Sequence, residues 1–133
     1  MIDPSLPLID LHRHLDGSAR LETILRLEPS LYLGRKHNLP LPAWDVEGLR
    51  PYVQVLEPQP GIMAFIARFE WMTGVLVDAD ACRRVAYECV EDAHKDGIDY
   101  IELRCSPLFM AEPHHLDPAA VVEAVVEGVQ AGC

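Results

Sequence analysis

The chain has 133 residues, of which 50% are hydrophobic, and it carries 11 basic against 21 acidic side chains for a net charge of −10. This apolar content suffices for one core and excludes a disordered tail. The negative balance argues against nucleic acid as a partner, because a phosphate backbone attracts cationic proteins. The same balance is typical of an ordinary soluble cytoplasmic protein.

The opening residues and the cysteines bear on location. Met1-Ile2-Asp3-Pro4 has neither a basic region nor a long apolar run, so it does not resemble a signal peptide. No apolar run approaches the ~20 residues that cross a bilayer. The cysteines lack C-x-x-C spacing, and we expect reduced thiols at Cys82, Cys89, Cys105 and Cys133. We therefore expect a cytoplasmic protein that contacts no membrane.

The apolar-rich segment over residues 8–17 is typical of a buried β-strand. It contains His12 and His14, and residues two apart on a strand project to the same face. Two imidazole nitrogens that converge on one point suit a borderline metal such as zinc. A hydrogen-bonded core histidine is the alternative, because a His-x-His match alone is weak.

A helix is predicted directly after this strand. Ser18 is the predicted N-cap and Pro29 marks the predicted end. Asp16 lies between the histidine pair and this helix. In α/β folds, a polar cluster between a strand and a helix is typical of a functional site at the carboxyl end of the strand.

The run Leu11-His12-Arg13-His14-Leu15-Asp16-Gly17-Ser18 resembles the first signature of the adenosine deaminase family. The resemblance joins the histidine pair to an Asp-Gly at a fixed offset near the N-terminus, where the family has it. It implies a zinc-dependent amidohydrolase with the α/β fold of a (β/α)8 TIM barrel. Such a barrel takes roughly 250 residues. We therefore expect residues 1–133 to be the N-terminal fragment of a single barrel domain, with the barrel incomplete.

The middle of the chain begins with a Pro-rich stretch over residues 30–60, which predicts an irregular connection with short helical turns. A helix is predicted over residues 61–76. Its apolar face comprises Ile62, Phe65, Ile66, Phe69 and Met72. Periodicity alone favours core packing for this face. Phe65-Ile66-Ala67-Arg68-Phe69 also resembles the family segment that lines the nucleoside pocket, which implies a substrate wall formed by Ile62, Phe65, Ile66 and Phe69.

A long helix is predicted over residues 79–96, with Asp78 or Asp80 as its cap and Gly97 just after its end. The face of this helix that we expect to be solvated comprises Arg83, Arg84, Glu88, Glu91 and Asp92. A last helix is predicted over residues 118–131, with Asp117 as cap. Its predicted buried side chains are Val121, Val122, Val125, Val126 and Val129.

Between these helices, residues 98–105 predict a second strand that ends before Ser106-Pro107. Glu102 and Arg104 lie two apart on one face of this strand. That face would be solvated in an edge strand, whereas it would be interior in a barrel, where charges must be paired. The segment resembles the family's second strand with its Arg-x-Ser-Pro ending. We expect Glu102 and Arg104 to form a buried ion pair that supports the metal ligands of the first strand without binding the metal itself.

The resemblance implies hydrolysis of adenosine, and of 2′-deoxyadenosine, to inosine and ammonia, with one Zn²⁺ per intact site. His12 and His14 would be metal ligands, and His14 and Asp16 would face a purine nucleoside. Asp16 would accept a hydrogen bond from the ribose 5′-hydroxyl of that nucleoside. The family's further His and Asp ligands and its proton-shuttling Glu come from later strands. No catalytic residue is therefore expected in this chain, and we expect it to be inactive alone.

Two alternatives remain open. In the first, the parent enzyme is another purine deaminase of the superfamily, acting on adenine or on an adenosine-bearing metabolite. In the second, the chain is a non-catalytic remnant of the fold. Adenine deaminases commonly carry Glu at the position of Asp16, so this residue favours a nucleoside. The oligomeric state has no signal in the sequence.

Overall fold

The computed structural model describes residues 6–27 and 43–133. The first strand is β1 (Ile9–His14), followed by a 3-10 turn (Leu15–Gly17) and α1 (Leu21–Arg26). Next come α2 (Val46–Val53), α3 (Ile62–Ile66), α4 (Phe69–Thr73) and α5 (Ala79–Lys95). The remaining elements are β2 (Tyr100–Arg104), α6 (Pro107–Ala111), a 3-10 turn (Glu112–His114) and α7 (Pro118–Gly132). The predicted helix end at Pro29 and residues 30–42 of the predicted connection lie outside the described residues.

The sheet joins β1 and β2 in parallel, with His14 opposite Arg104. A parallel pair requires a crossover connection, and the long helix α5 lies within it. This arrangement agrees with the predicted α/β class. The prediction of a buried first strand is wrong for this chain, because Ile9 and Leu11 are more than half exposed. The described sheet has two strands, so nothing in this part of the chain covers its outer face.

The long helix has the ends that its sequence predicts. Asp78 caps α5, since its carboxylate accepts a hydrogen bond from the amide of Ala81 at 2.8 Å. At the other end Gly97 has φ +73°, in the left-handed region that favours glycine. The amide of Ile98 donates to the carbonyl of Ala93 at 2.9 Å, which completes a Schellman motif.

The C-terminal helix α7 packs along α5 and begins at the predicted cap, Asp117. Val121 and Val125 are buried as expected. The predicted burial of Val122 and Val126 is wrong, because they are 41% and 47% exposed. In the described structure α7 buries one face only, so valines on its other side stay in solvent.

The predicted helix over residues 61–76 is two short helices, α3 and α4, separated by a turn at Ala67 and Arg68. No residue of α3 is buried. Of the predicted apolar face, Met72 joins the core at 8% exposure. The predicted core packing is therefore confirmed for Met72 and is wrong for the residues of α3.

A polar network fixes α1 against α5. Glu88 is buried, which corrects its predicted place on a solvated face. Its carboxylate accepts from the Thr23 hydroxyl at 2.6 Å and from Arg84 Nε at 2.9 Å. Arg20 donates from Nε to both carboxylate oxygens of Asp92, at 2.8 and 3.0 Å. These bonds hold the segment that follows β1 in one position.

The apolar core lies between the helices and the inner face of the sheet. Its fully buried side chains include Leu15, Ile24, Leu49, Val75, Leu76, Cys82, Met110 and Val121. Leu103 and Cys105 pack against this core from β2 and from the residue that follows it. Among the described residues, no helix combines the length and apolar composition that a membrane span requires.

Candidate metal centre

The two histidines of β1 converge as the strand spacing predicts. Nε2 of His12 lies 3.1 Å from Nε2 of His14, and the ring centroids are 5.1 Å apart. Both residues are exposed on the outer face of the sheet. The two nitrogens are close enough for one to donate a hydrogen bond to the other. The core-histidine alternative does not describe this pair.

The spacing of the two nitrogens fits a shared metal ion. Two imidazole nitrogens that bind one tetrahedral zinc lie about 3.3 Å apart, since each Zn–N bond is about 2.0–2.1 Å. The observed 3.1 Å between His12 and His14 is close to that separation. Within residues 6–27 and 43–133, no group of three His, Cys, Asp or Glu side chains forms a metal cluster. This part of the chain therefore supplies two donors.

Asp16 lies buried directly beside the pair. Its side chain is 4% exposed, and its Oδ1 is 3.5 Å from Nδ1 of His14. That distance is too long for a good hydrogen bond, and among the described residues Oδ1 has no hydrogen-bond partner. Burial, and then the charge of Asp16, raise the pKa of the neighbouring Cys105. A buried carboxylate oxygen without a donor is the unsatisfied group of this site.

Ser18 holds the carbonyl end of β1, which corrects its predicted role. Its hydroxyl donates to the carbonyl of His14 at 2.6 Å. The N-cap of α1 is Arg20, whose side chain makes no capping hydrogen bond. The serine therefore fixes the backbone of a candidate ligand, and the helix cap lies two residues later than predicted, at Arg20.

Glu102 and Arg104 share the outer face of β2, and Arg104 lies opposite His14. The predicted burial is wrong here, because both residues are exposed in the two-stranded sheet. Glu102 accepts a hydrogen bond from the Tyr100 hydroxyl at 3.2 Å, and this contact raises the pKa of Tyr100. Their support for the metal ligands stays a prediction.

The predicted apolar wall only partly approaches the site. Phe69 lies against Gly17, where an added Cβ would be 3.0 Å from its ring. Phe65 packs edge-on against Phe69 with centroids 5.4 Å apart. Both rings line a cavity of about 720 Å³, together with Gly17 and Arg68. Neither His12 nor His14 is part of its lining. Ile62 and Ile66 are exposed at 66% and 42%.

The histidines outside the pair lie elsewhere. His94 is exposed on α5, as predicted. His114 contacts the carbonyl of Gly74 through Nε2 at 3.0 Å, and burial lowers its pKa. His115 follows with φ +55°. His37 lies outside the described residues.

Asp10 and Arg13 contribute to the site but were not predicted from the sequence. Arg13 Nε donates to Asp10 Oδ2 at 2.9 Å, and Asp10 Oδ1 accepts from the amide of His12 at 3.1 Å. The His12 amide and the Arg13 side chain lower the pKa of Asp10. Opposite charges three residues apart, in a strand expected to be buried, were the available signal.

A parallel strand pair with a crossover helix and a convergent histidine pair at the carboxyl end of its first strand is typical of part of a (β/α)8 barrel. The family model described as adenosine deaminase matches residues 7–133. The chain is 57% identical over 133 residues to the adenosine deaminase of Aliivibrio fischeri (strain MJ11), and it covers 38% of that protein. The chain belongs to the adenosine deaminase family.

Solved structures agree with this assignment. The chain is similar to the apo N6-methyl-AMP deaminase from Arabidopsis thaliana, with 27% identity and a TM-score of 0.63 over 95% of this chain and 34% of that one. It is also similar to Arabidopsis ADAL complexed with IMP, with 26% identity and a TM-score of 0.67 over 97% of this chain and 35% of that one. The chain thus spans little more than a third of these relatives and forms a partial barrel.

Proposed function

We propose that the complete protein hydrolyses adenosine and 2′-deoxyadenosine to inosine and ammonia. Family membership supports this, and the 3.1 Å approach of His12 Nε2 to His14 Nε2 is the observation that carries it. We further propose that residues 1–133 are one piece of a single barrel domain and are inactive alone. They cover 38% of the Aliivibrio relative, and they supply two of the donors that a catalytic zinc site needs.

In this proposal His12 and His14 hold one Zn²⁺. When bound, the ion lowers the pKa of water towards 7 and so makes a nucleophile available at neutral pH. The imidazoles lie on a strand whose end is fixed by the Ser18 hydroxyl, so their positions are set before any ion binds. Glu102 and Arg104 support this face from the next strand.

Asp16 binds the nucleoside in this proposal. Its buried Oδ1 has no donor in the described structure, and leaving such an acceptor unpaired costs about 1–3 kcal/mol. The ribose 5′-hydroxyl would satisfy it, with His14 alongside. Phe65 and Phe69, with Ile62 and Ile66, would form the apolar wall that excludes water from a flat purine.

A nucleoside monophosphate is the second candidate substrate, because the similar solved structures include an N6-methyl-AMP deaminase and a complex with IMP. A 5′-phosphate would approach the buried carboxylate of Asp16, and like charges repel strongly where water is excluded. Asp16 therefore favours adenosine. We also propose a cytoplasmic location, which fits the four free cysteines of the structure.

A hybrid enzyme tests the function. Residues 1–133 replace the matching part of the Aliivibrio fischeri adenosine deaminase, and ammonia release is measured from adenosine and from AMP with zinc present. We expect turnover of adenosine and none by the isolated chain. His14→Ala should lower the activity at least about 100-fold, since even residues behind metal ligands are worth about 10- to 100-fold. The control His94→Ala alters an exposed histidine of α5 and should change nothing.

Three results would contradict the proposal. A folded hybrid that prefers AMP would favour the second candidate. A folded hybrid without activity on either substrate would favour a non-catalytic remnant. Full activity in the His14→Ala variant would show that this histidine is not a metal ligand.

A further inference from the structure

The strand that carries the histidine pair contains an extra residue. Asp10 lies opposite Ile101 and Arg13 lies opposite Leu103, so β1 advances three residues while β2 advances two. This is a β-bulge, which is rare between parallel strands and is often found beside active sites, where it redirects a side chain. The extra residue falls between Asp10 and Arg13, in the stretch that contains His12.

The bulge changes which side chains share a face. In a regular strand, Asp10, His12 and His14 would all project to the same side, and a carboxylate would lie beside the two imidazoles. In the structure the imidazoles meet each other, whereas Asp10 pairs with Arg13. Both members of that ion pair are about three-quarters buried, at 28% and 24% exposure.

The carboxylate of Asp10 bridges the bulge. Oδ1 accepts from the backbone amide of His12 at 3.1 Å, and Oδ2 accepts from Nε of Arg13 at 2.9 Å. A bulge removes its residues from the regular ladder, and the amide there needs another acceptor. Arg13 also lies beside Cys89 of α5. Through its ion pair with Asp10, the Arg13 side chain thus links the bulge to the layer of helices behind the sheet.

We propose that Asp10 is a positioning residue for the metal pair. It holds the bulge, keeps its own carboxylate off the imidazole face and sets the separation of the His12 and His14 nitrogens. This inference rests on the proposed function, because it assumes that the pair holds a metal ion. Asp10 acts through the backbone of His12 and does not touch the metal.

The test is a Zn²⁺ titration of the 133-residue chain, followed by ¹⁵N NMR of the histidine rings. In the wild-type chain we expect the Nε2 signals of His12 and His14 to shift together. Asp10→Ala should weaken zinc binding about 10- to 100-fold, the usual effect of losing a residue that orients a ligand. Asp10→Asn should recover part of the affinity lost in Asp10→Ala, because its amide oxygen still accepts from the His12 amide although its NH₂ group cannot accept from Arg13.

The chain offers a matched control, since Asp80 and Arg83 form a second Asp–Arg pair three residues apart, on α5. Asp80→Ala should leave zinc affinity unchanged. If Asp10→Ala does not fold, Arg13→Ala carries the test, because it releases the other end of the bridge and should also weaken binding.

The outcomes separate the two proposals. Wild-type zinc affinity in folded Asp10→Ala or Arg13→Ala, with both rings still shifting together, contradicts the role of Asp10 and leaves the metal pair intact. Asp10→Asn as defective as Asp10→Ala contradicts the role of the amide acceptor. Wild-type rings that do not respond to zinc contradict the proposed function itself.

Discussion

Asp16 and His14 are neighbours with opposite environments, and this contrast organises the site. The Asp16 side chain is 4% exposed and the His14 side chain 51%. A buried acceptor attracts a donor from a ligand, since the alternative is an unpaired oxygen. An exposed imidazole next to a second one is free to bind an ion. The pair therefore suits a site at which a hydroxyl group and a metal ion bind side by side.

Single residues also show what the sequence predicts and where prediction ends. The convergence of His12 and His14 follows from strand alternation, which is a local rule. The bulge at Asp10 depends on the register against β2, nearly a hundred residues away in the chain, so no local pattern reveals it. Glu88 was expected in solvent because its partner Thr23 lies on a distant helix.

His114 gives a pH-dependent prediction. Burial lowers its pKa and His115 lowers it further, whereas the hydrogen bonds to the backbone of Gly74 and Thr73 and the charge of Asp78 act in the opposite direction. The neutral form is therefore favoured by folding, and its contribution is complete above the unfolded pKa of about 6.5 and is lost as the pH falls through the lower folded pKa. His114→Gln should cost about 1 kcal/mol at pH 7, through the lost bond to Gly74, and the loss should shrink at pH 5.

Urea unfolding at pH 7 and pH 5 measures this effect. His94→Gln is the control, because His94 is exposed on α5 and should show the wild-type pH dependence. If His114→Gln and the wild type lose the same stability between the two pH values, the assignment to His114 is wrong.

At the scale of elements, α5 and α7 form the main helix pair of the described structure. Their boundaries were predictable because Asp78, Gly97 and Asp117 act through local hydrogen bonds and backbone conformation. The break between α3 and α4 was not predictable from local sequence, because Arg68 at that break makes tertiary contacts. Its guanidinium donates to the carbonyl of Pro51 at 2.5 Å and to Gln59 at 3.0 Å.

The helix pair is tightly packed at Gly128. A Cβ added there would lie 2.2 Å from the carbonyl oxygen of Arg83 and 2.8 Å from Cβ of Ala86. Gly128→Ala should therefore destabilise the chain by about 1–3 kcal/mol, despite the better helix propensity of alanine. Thermal unfolding measures this change. Gly61→Ala is the control, since a Cβ there meets nothing within 4 Å, and a Gly128→Ala chain as stable as wild type would contradict the packing.

At the scale of the molecule, the described residues form two strands of a partial barrel. The face of the sheet that points away from the helices carries the histidine pair together with Tyr100, Glu102 and Arg104, all exposed. The resemblance predicted the fold class, and the predicted burial of this face failed because burial needs the remaining strands. The exposure of this face follows from the share of the barrel that is present, since the chain covers 38% of its Aliivibrio relative.

Anomalous diffraction at the zinc edge, from crystals of this chain soaked in Zn²⁺, tests directly whether His12 and His14 share one ion. We expect one peak about 2.0–2.1 Å from the Nε2 atoms of both His12 and His14. A zinc ion bound elsewhere, with neither ring in contact, would contradict this expectation.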